Sequence, residues 1–138
     1  GKLLYDAGQF EQALTSWQQA EQEYTRAGDS VNVIRSRINQ AQAQKALGFY
    51  LRAVETLKEL QQRVPEQPPS LEKVQILRSL GESYLATGDL KQARTFLQAA
   101  LETAIAQNYA AESGAAYLSL GLLDRAEANR FPVPELAV

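Results

Sequence analysis

The chain has 138 residues, of which 45% are hydrophobic and 22% charged, and its formal net charge is -2. This is the composition of a globular domain, and the balanced charge gives no general attraction to nucleic acid or to anionic lipid. The sequence contains neither cysteine nor histidine, which excludes disulfides, thiolate catalysis, imidazole bases and nearly all zinc ligand sets.

These exclusions set the first functional expectations. The sequence contains no Gly-rich phosphate loop and no nucleophile elbow, so we expect no enzyme activity, no cofactor and no metal. We also expect no nucleic-acid partner. No apolar run reaches the roughly 18 residues of a membrane span, so we expect no membrane association. The lack of cysteine favours a cytoplasmic location.

Breakers divide the chain into seven predicted helices. Stop signals stand at Gly8, Gly48 and Gly88, and further breaks are predicted at 26–30, at the proline-rich stretch 64–70 and near Asn108. The predicted helices cover residues 1–7, 10–26, 30–46, 50–63, 70–86, 90–106 and 110–129, and Pro132 and Pro134 end the last one. No strand pattern competes, and the short connections predict antiparallel neighbours.

The three glycines are equally spaced, and the residues around them repeat with the same period, which is about 40 residues. The stretches "AGQFEQALTSW", "LGFYLRAVETL" and "TGDLKQARTFL" share one apolar rhythm of a buried helical stripe. Trp17 holds the position of Leu57 and Leu97, which predicts a core residue between helix pairs and not an exposed anchor. A small residue precedes each glycine by seven positions, and Gly81 is predicted to lie where two helices cross most closely.

This frame, with "SLGESYLATGDLKQA" in the third unit, resembles the tetratricopeptide repeat. The resemblance implies an all-α solenoid of stacked antiparallel helix pairs in a right-handed superhelix. It divides the chain into units 1–28 (with a truncated first helix), 29–68, 69–108 and 109–131 (the first helix of a fourth pair), with a tail at 132–138. Gln40 and Gln44 depart from the family pattern, which favours Leu and Tyr there.

The period of about 40 residues exceeds the usual 34 or so of this family, so the chain is similar to its longer-period variants. The glutamine-rich helices also resemble, more weakly, the repeat arrays of bacterial proteins that carry a CHAT protease domain.

The resemblance implies a concave groove lined by the first helix of each pair. The predicted partner-binding residues are Tyr5, Arg35, Ile38, Asn39, Gln42, Lys45, Gln75, Arg78, Glu82, Leu118, Leu122 and Arg125. The four cations among them, interleaved with amides, favour an acidic protein segment as partner. The alternative is that they are ordinary solvated side chains. A chaperone-type carboxylate clamp is disfavoured, because Ile38 and Gln42 stand where that clamp has Lys and Asn.

Two functions fit this pattern. One is a non-catalytic module that binds a peptide or partner domain in its groove. The other is a spacer or regulatory arm in a larger protein, which contacts its own neighbouring domain or another copy of itself.

The last predicted helix lacks the second helix of its pair, so we expect its apolar residues to form an exposed surface that tends to contact other apolar groups. Leu120 and Tyr117 are predicted to pack onto the third unit, and Tyr24 and Tyr109 to pack between helices. The surface of Leu122 and Leu123 is predicted to be covered by the tail, through Phe131, Val133 and Leu136, or to meet another molecule.

Overall fold

A computed structural model describes the backbone of residues 2–63 and 70–130 and the side chains of residues 7–62 and 70–130. These residues form six α-helices and no strand: α1 Lys2–Arg26, α2 Ser30–Ala46, α3 Tyr50–Arg63, α4 Leu71–Thr87, α5 Leu90–Ala106 and α6 Ala110–Arg130. Each helix packs against the next along the chain, as predicted for an all-α repeat solenoid.

One type of turn recurs between the helices. The described residues with positive φ are Gly28, Gly48, Gly88 and Asn108, and their positions fit a spacing of one half or one whole repeat period. In each turn the following amide donates to a carbonyl five residues earlier, as from Asp89 N to Tyr84 O at 3.0 Å. This is the Schellman closure, which needs a left-handed residue and therefore favours Gly or Asn. The chain thus reverses by the same device at all four positions.

The prediction of a helix boundary at Gly8 was wrong. α1 runs without interruption from Lys2 to Arg26, and Gly8 is not among the residues with positive φ. A helix that continues through Gly8 keeps the backbone hydrogen bonds that a turn at this position would interrupt.

The main core is one continuous cluster of side chains from α2, α3, α4, α5 and α6. Leu57, Leu80, Leu97 and Leu123 are fully buried. A Cβ built on Gly81 would lie 2.5 Å from Cγ of Leu97 and 3.1 Å from its backbone nitrogen. The prediction that Gly81 marks a close helix crossing is confirmed.

Trp17 corrects the prediction of a buried indole. Its exposed fraction is 38%, whereas Leu57 and Leu97, at the same position of their units, have none. The reason is the continuity of α1, because residues 2–8 carry straight on and cannot fold back over Trp17. Among the described helices, α1 contacts α2, whereas α3 and α5 each contact two helices.

The C-terminal predictions have mixed outcomes. Leu120 packs against the core as predicted, but Tyr117 is 59% exposed and does not. Leu123 is fully buried, so the prediction that it contributes to an exposed apolar surface was wrong. Leu122 is 58% exposed. Tyr109 packs against a buried cluster between α4 and α5, and Tyr24 is 36% exposed. The tail residues of that prediction lie outside the described part of the chain.

Candidate partner-binding groove

Helices α2, α4 and α6 form one row, which we call the inner row. α4 contacts both α2 and α6, although each lies two helices away along the chain. α3 and α5 are the intervening helices of the pairs. The first helix of each pair is therefore placed beside the first helix of the next, and their side chains meet directly.

Three side-chain pairs join α2 to α4, each spanning 37 residues of sequence. They are Arg35 Nε to Glu72 Oε1 at 3.2 Å, Gln42 Nε2 to Ser79 Oγ at 2.9 Å, and Lys45 Nζ to Glu82 Oε2 at 2.5 Å. The constant separation is one repeat period less about one helical turn. The partner of each α2 residue therefore lies on α4 about one turn before the position that is equivalent to that residue.

The contacts continue from α4 to α6 through Glu82 and Arg78. Arg78 Nε donates to Glu112 Oε2 at 3.1 Å and its Nη1 donates to Glu82 Oε1 at 2.7 Å. Ser119 Oγ donates to the same Glu82 oxygen at 3.3 Å. Glu82 thus accepts from all three helices of the inner row.

The charge state of Glu82 follows from its surroundings. Burial would raise the pKa of this carboxyl, but the charges and hydrogen bonds of Lys45 and Arg78 outweigh burial and lower it. Burial likewise opposes the charge of Arg78, and Glu82 with Glu112 raises the pKa of its guanidinium. Both groups are therefore charged at neutral pH.

The predicted groove residues divide into two groups. Arg35, Lys45 and Arg78 are each paired with a glutamate. Within the described residues, Arg125 forms no ion pair and is exposed. The prediction of a basic surface therefore overlooked Glu72 and Glu112, whose spacing to Arg35 and Arg78, 37 and 34 residues, was available in the sequence.

Two amides of the inner row remain without side-chain hydrogen bonds to other described residues. Asn39 on α2 and Gln75 on α4 are both half-buried. Ile38 was predicted to face the groove, but it is 6% exposed and belongs to the core. It therefore cannot contact a partner, and its prediction was wrong. The side chain of Tyr5 lies outside the described residues.

Apolar residues of the inner row were partly missed. Leu118 and Leu122 on α6, two of the predicted groove residues, are exposed. Val31 and Leu71, which were not predicted, are 53% and 40% exposed. They lie one repeat period apart at the starts of α2 and α4. A comparison of exposed positions between the repeats, and not of buried positions alone, would have predicted them.

A protein-family model described as tetratricopeptide repeat matches residues 38–111, more than half of the chain. The chain belongs to the tetratricopeptide repeat family. Repeats of this family generally mediate protein–protein interactions and are typically non-catalytic. No curated protein and no solved structure matches the chain. The longer-period variant and the relation to CHAT-domain proteins stay predictions.

Two further findings concern the described residues of this tetratricopeptide domain. None of their helices combines the length and apolar character needed to cross a bilayer. Their acidic side chains form no group of three or more that could hold a metal ion.

Proposed function

We propose that the inner row binds an extended or helical segment of another protein, without catalysing a reaction. The observation that carries this proposal is the pair of amides, Asn39 and Gln75, which have no side-chain partner among the described residues. An amide side chain can donate and accept at once, so each can hydrogen-bond to the main chain of a bound segment. The charged side chains around these two amides are already paired with each other. The amides are therefore better suited to bind the main chain of a partner segment than one of its charged side chains.

The ion pairs shape the chemistry of the partner. Because Lys45 and Arg78 are satisfied by Glu82 and Glu112, they offer little attraction to an acidic ligand. Arg35, whose side chain is 60% exposed even in its pair, and Arg125 remain the positions where an acidic residue would be favoured. Val31, four residues before Arg35, and Leu71 add exposed apolar surface at the starts of α2 and α4. We propose a partner segment that alternates polar and apolar residues, with acidic side chains only near these two arginines.

Selection from a displayed library of random peptides tests the proposal. The immobilised wild-type domain should enrich peptides, and the double variant Asn39→Ala/Gln75→Ala should bind them about 30-fold less tightly, since each lost hydrogen bond contributes about 1 kcal/mol. Neither amide has a side-chain partner among the described residues, so this variant should keep its fold.

The matched control is Gln98→Ala/Glu102→Ala, which truncates two exposed side chains of α5. It should bind the enriched peptides as the wild type does. Equal losses in both variants would show that the peptides bind elsewhere. If no peptide is enriched, the groove proposal fails and the spacer arm is favoured.

A cytoplasmic location stays a prediction.

A further inference from the structure

The turn between α2 and α3 is followed by three exposed apolar residues. Phe49, Tyr50 and Leu51 have exposed fractions of 41%, 37% and 71%. Together with Ala86 and Thr87 at the end of α4, they line an open groove of about 330 Å³, which we call the turn groove. This volume is near the lower end of the roughly 300–1,000 Å³ of ligand pockets. The turn groove therefore has room for one or two side chains of a partner.

The helices that border the turn groove have their solenoid neighbours in place. The groove lies between the start of α3 and the end of α4. α3 contacts α2 and α4, and α4 contacts α3 and α5, so the groove stays open although these neighbours are present. The connection between α3 and α4 leaves from the far end of α3, about 20 Å away, since α3 has 14 residues.

The fold does not require apolar residues at this turn. In the third unit the positions of Phe49 and Leu51 are taken by Asp89 and Lys91, which follow the same left-handed turn. Asp89 also caps α5 by accepting from the backbone nitrogen of Gln92 at 3.3 Å, whereas the side chain of Phe49 has no acceptor. The second unit thus lacks a stabilising cap and exposes apolar surface. Neither feature stabilises the domain, which indicates a binding surface.

Arg52 gives the turn groove a positive edge. Its guanidinium lies over the ring of Phe49, with Cζ 5.0 Å from the ring centroid. The guanidinium forms no hydrogen bond or ion pair with another described residue. Of the described residues that line the groove, Arg52 alone is charged. The ring contact holds the guanidinium beside the apolar surface, and its N–H donors remain available to an acceptor.

We propose that the turn groove binds a short segment of another protein that carries an apolar side chain and, close to it in sequence, a carboxylate. The apolar side chain would pack among Tyr50, Leu51 and Thr87. The carboxylate would accept from Arg52, whose planar guanidinium can donate to both carboxylate oxygens at once. None of the residues that carry the proposed function lines the turn groove, so this inference does not rest on that function.

The composition of the turn groove favours a protein segment over other anionic partners. Nucleic acids and anionic lipid surfaces are bound by several cations acting together, whereas the described lining has one. A small anion would pair with Arg52 but would leave Phe49 and Leu51 exposed to water. A peptide with neighbouring apolar and acidic side chains covers the apolar surface and pairs the charge at the same time.

Two variants separate the apolar and the charged parts of the site. Phe49→Asp/Leu51→Lys gives the turn of the second unit the residues of the third. It removes the apolar lining, and it should fold at least as well as the wild type because Asp is a favourable cap. Arg52→Gln removes the charge. The matched control is Lys58→Gln, which removes a cation from an exposed site about 9 Å further along α3.

Selection from a displayed library of random peptides tests the inference. Peptides are enriched on the immobilised wild-type domain, and those that also bind Phe49→Asp/Leu51→Lys are discarded. We expect the remaining peptides to share an acidic residue within about three residues of a large apolar one, which is a reach of about 10 Å in an extended chain. Arg52→Gln should bind them about 10-fold less tightly, and Lys58→Gln should bind them as the wild type does.

A substitution in the peptide identifies the contact. Replacing the acidic residue of a selected peptide by its amide should weaken binding to the wild type about 10-fold, but should hardly change binding to Arg52→Gln. This coupling is expected only if the carboxylate contacts Arg52. Asn39→Ala/Gln75→Ala should bind the selected peptides as the wild type does, which separates this inference from the proposed function.

Three results would overturn the inference. One is a library that yields no peptide specific for the wild type over Phe49→Asp/Leu51→Lys, as expected if another part of this chain fills the turn groove. Another is a set of specific peptides without acidic residues, or with binding that Arg52→Gln leaves unchanged or that Lys58→Gln weakens equally. The last is a wild-type chain that self-associates in sedimentation velocity while Phe49→Asp/Leu51→Lys stays monomeric, which would make a second copy the occupant.

Discussion

Replacing Gly81 with Ala tests the close crossing of α4 and α5. In an open helix this change stabilises by about 1 kcal/mol through helix propensity. At Gly81 the new Cβ would lie 2.5 Å and 2.7 Å from two carbons of Leu97, far inside the 3.5–4.0 Å or so at which carbon atoms attract. Leu97 is fully buried and its backbone nitrogen is 3.1 Å away, so α5 itself would have to move.

Overpacking of this kind costs about 1–3 kcal/mol. Gly121→Ala is the matched control, because it makes the same change at the equivalent position with nothing within 4 Å. We expect the free energies of unfolding of the two variants to differ by about 2 kcal/mol, with Gly121→Ala the more stable. Gly81→Leu should be less stable than Gly81→Ala. Urea unfolding followed by far-UV circular dichroism measures these differences.

A double-mutant cycle identifies the contact responsible. Leu97→Ala alone should cost about 2–5 kcal/mol, but it removes the carbons that the new Cβ at position 81 would meet. In that background the Gly81→Ala change should become neutral or stabilising, which is a coupling of about 1–2 kcal/mol. If Gly81→Ala and Gly121→Ala raise stability equally in the protein that retains Leu97, the close crossing does not exist and the packing argument is refuted.

Four other substitutions have expected outcomes by the same assay. Glu82→Gln should lose about 2 kcal/mol at neutral pH, because Lys45 and Arg78 lose a charged acceptor. Although burial opposes it, those two cations lower the pKa of Glu82 below its ordinary 4.5. Its contribution is therefore complete above that value and disappears as the pH falls through the lower folded-state pKa, so wild type and variant should converge in acid. Convergence already near pH 6 would contradict this assignment. Gly88→Ala should cost about 1 kcal/mol, since φ is 86° there, and an unchanged midpoint would argue against the left-handed turn. Gly114→Ala should gain up to about 1 kcal/mol, because nothing lies within 4 Å of the added carbon, and a loss would mean that this face is covered. Trp17→Ala should cost only about 1–2 kcal/mol in the monomer, less than for a buried indole, and a loss above about 3 kcal/mol would restore the buried position.

Much of the fold follows from local signals in the sequence. Gly48 and Gly88 stop helices because only a left-handed residue closes the turn, and this requirement is visible in one residue type. The stripe at Ala93, Leu97 and Ala100 is buried as its rhythm predicts. Such features depend on neighbours within one helix pair, so a single sequence is sufficient to predict them.

The errors arose where a residue's environment depends on a more distant element. Gly8 has the same local signal as Gly48, but α1 continues through it without a left-handed residue. Trp17 has the register of Leu97, but its burial depends on a neighbouring helix. The periodic pattern contains no information on whether the neighbour is present.

The predicted basic residues lie on the inner row, but the prediction missed the glutamates that pair with them. Helical periodicity placed Arg35, Lys45 and Arg78 on the inner row, and considering one helix at a time made the surface basic. The compensating glutamates come from the next helix, with an offset set by how adjacent units are staggered. That stagger is a property of the packed solenoid, although the constant separation between the paired residues of α2 and α4 records it in the sequence.

The recurrence of one turn at a fixed spacing affects how such a chain can change length. A duplication or deletion of one full period that begins after α1 returns each left-handed residue to a left-handed position and each core residue to the core. The side-chain pairs between first helices are kept as well, since their separation is counted within the same period. The number of units in this architecture can therefore vary by copying a stretch of sequence, with no redesign of the hydrophobic interior.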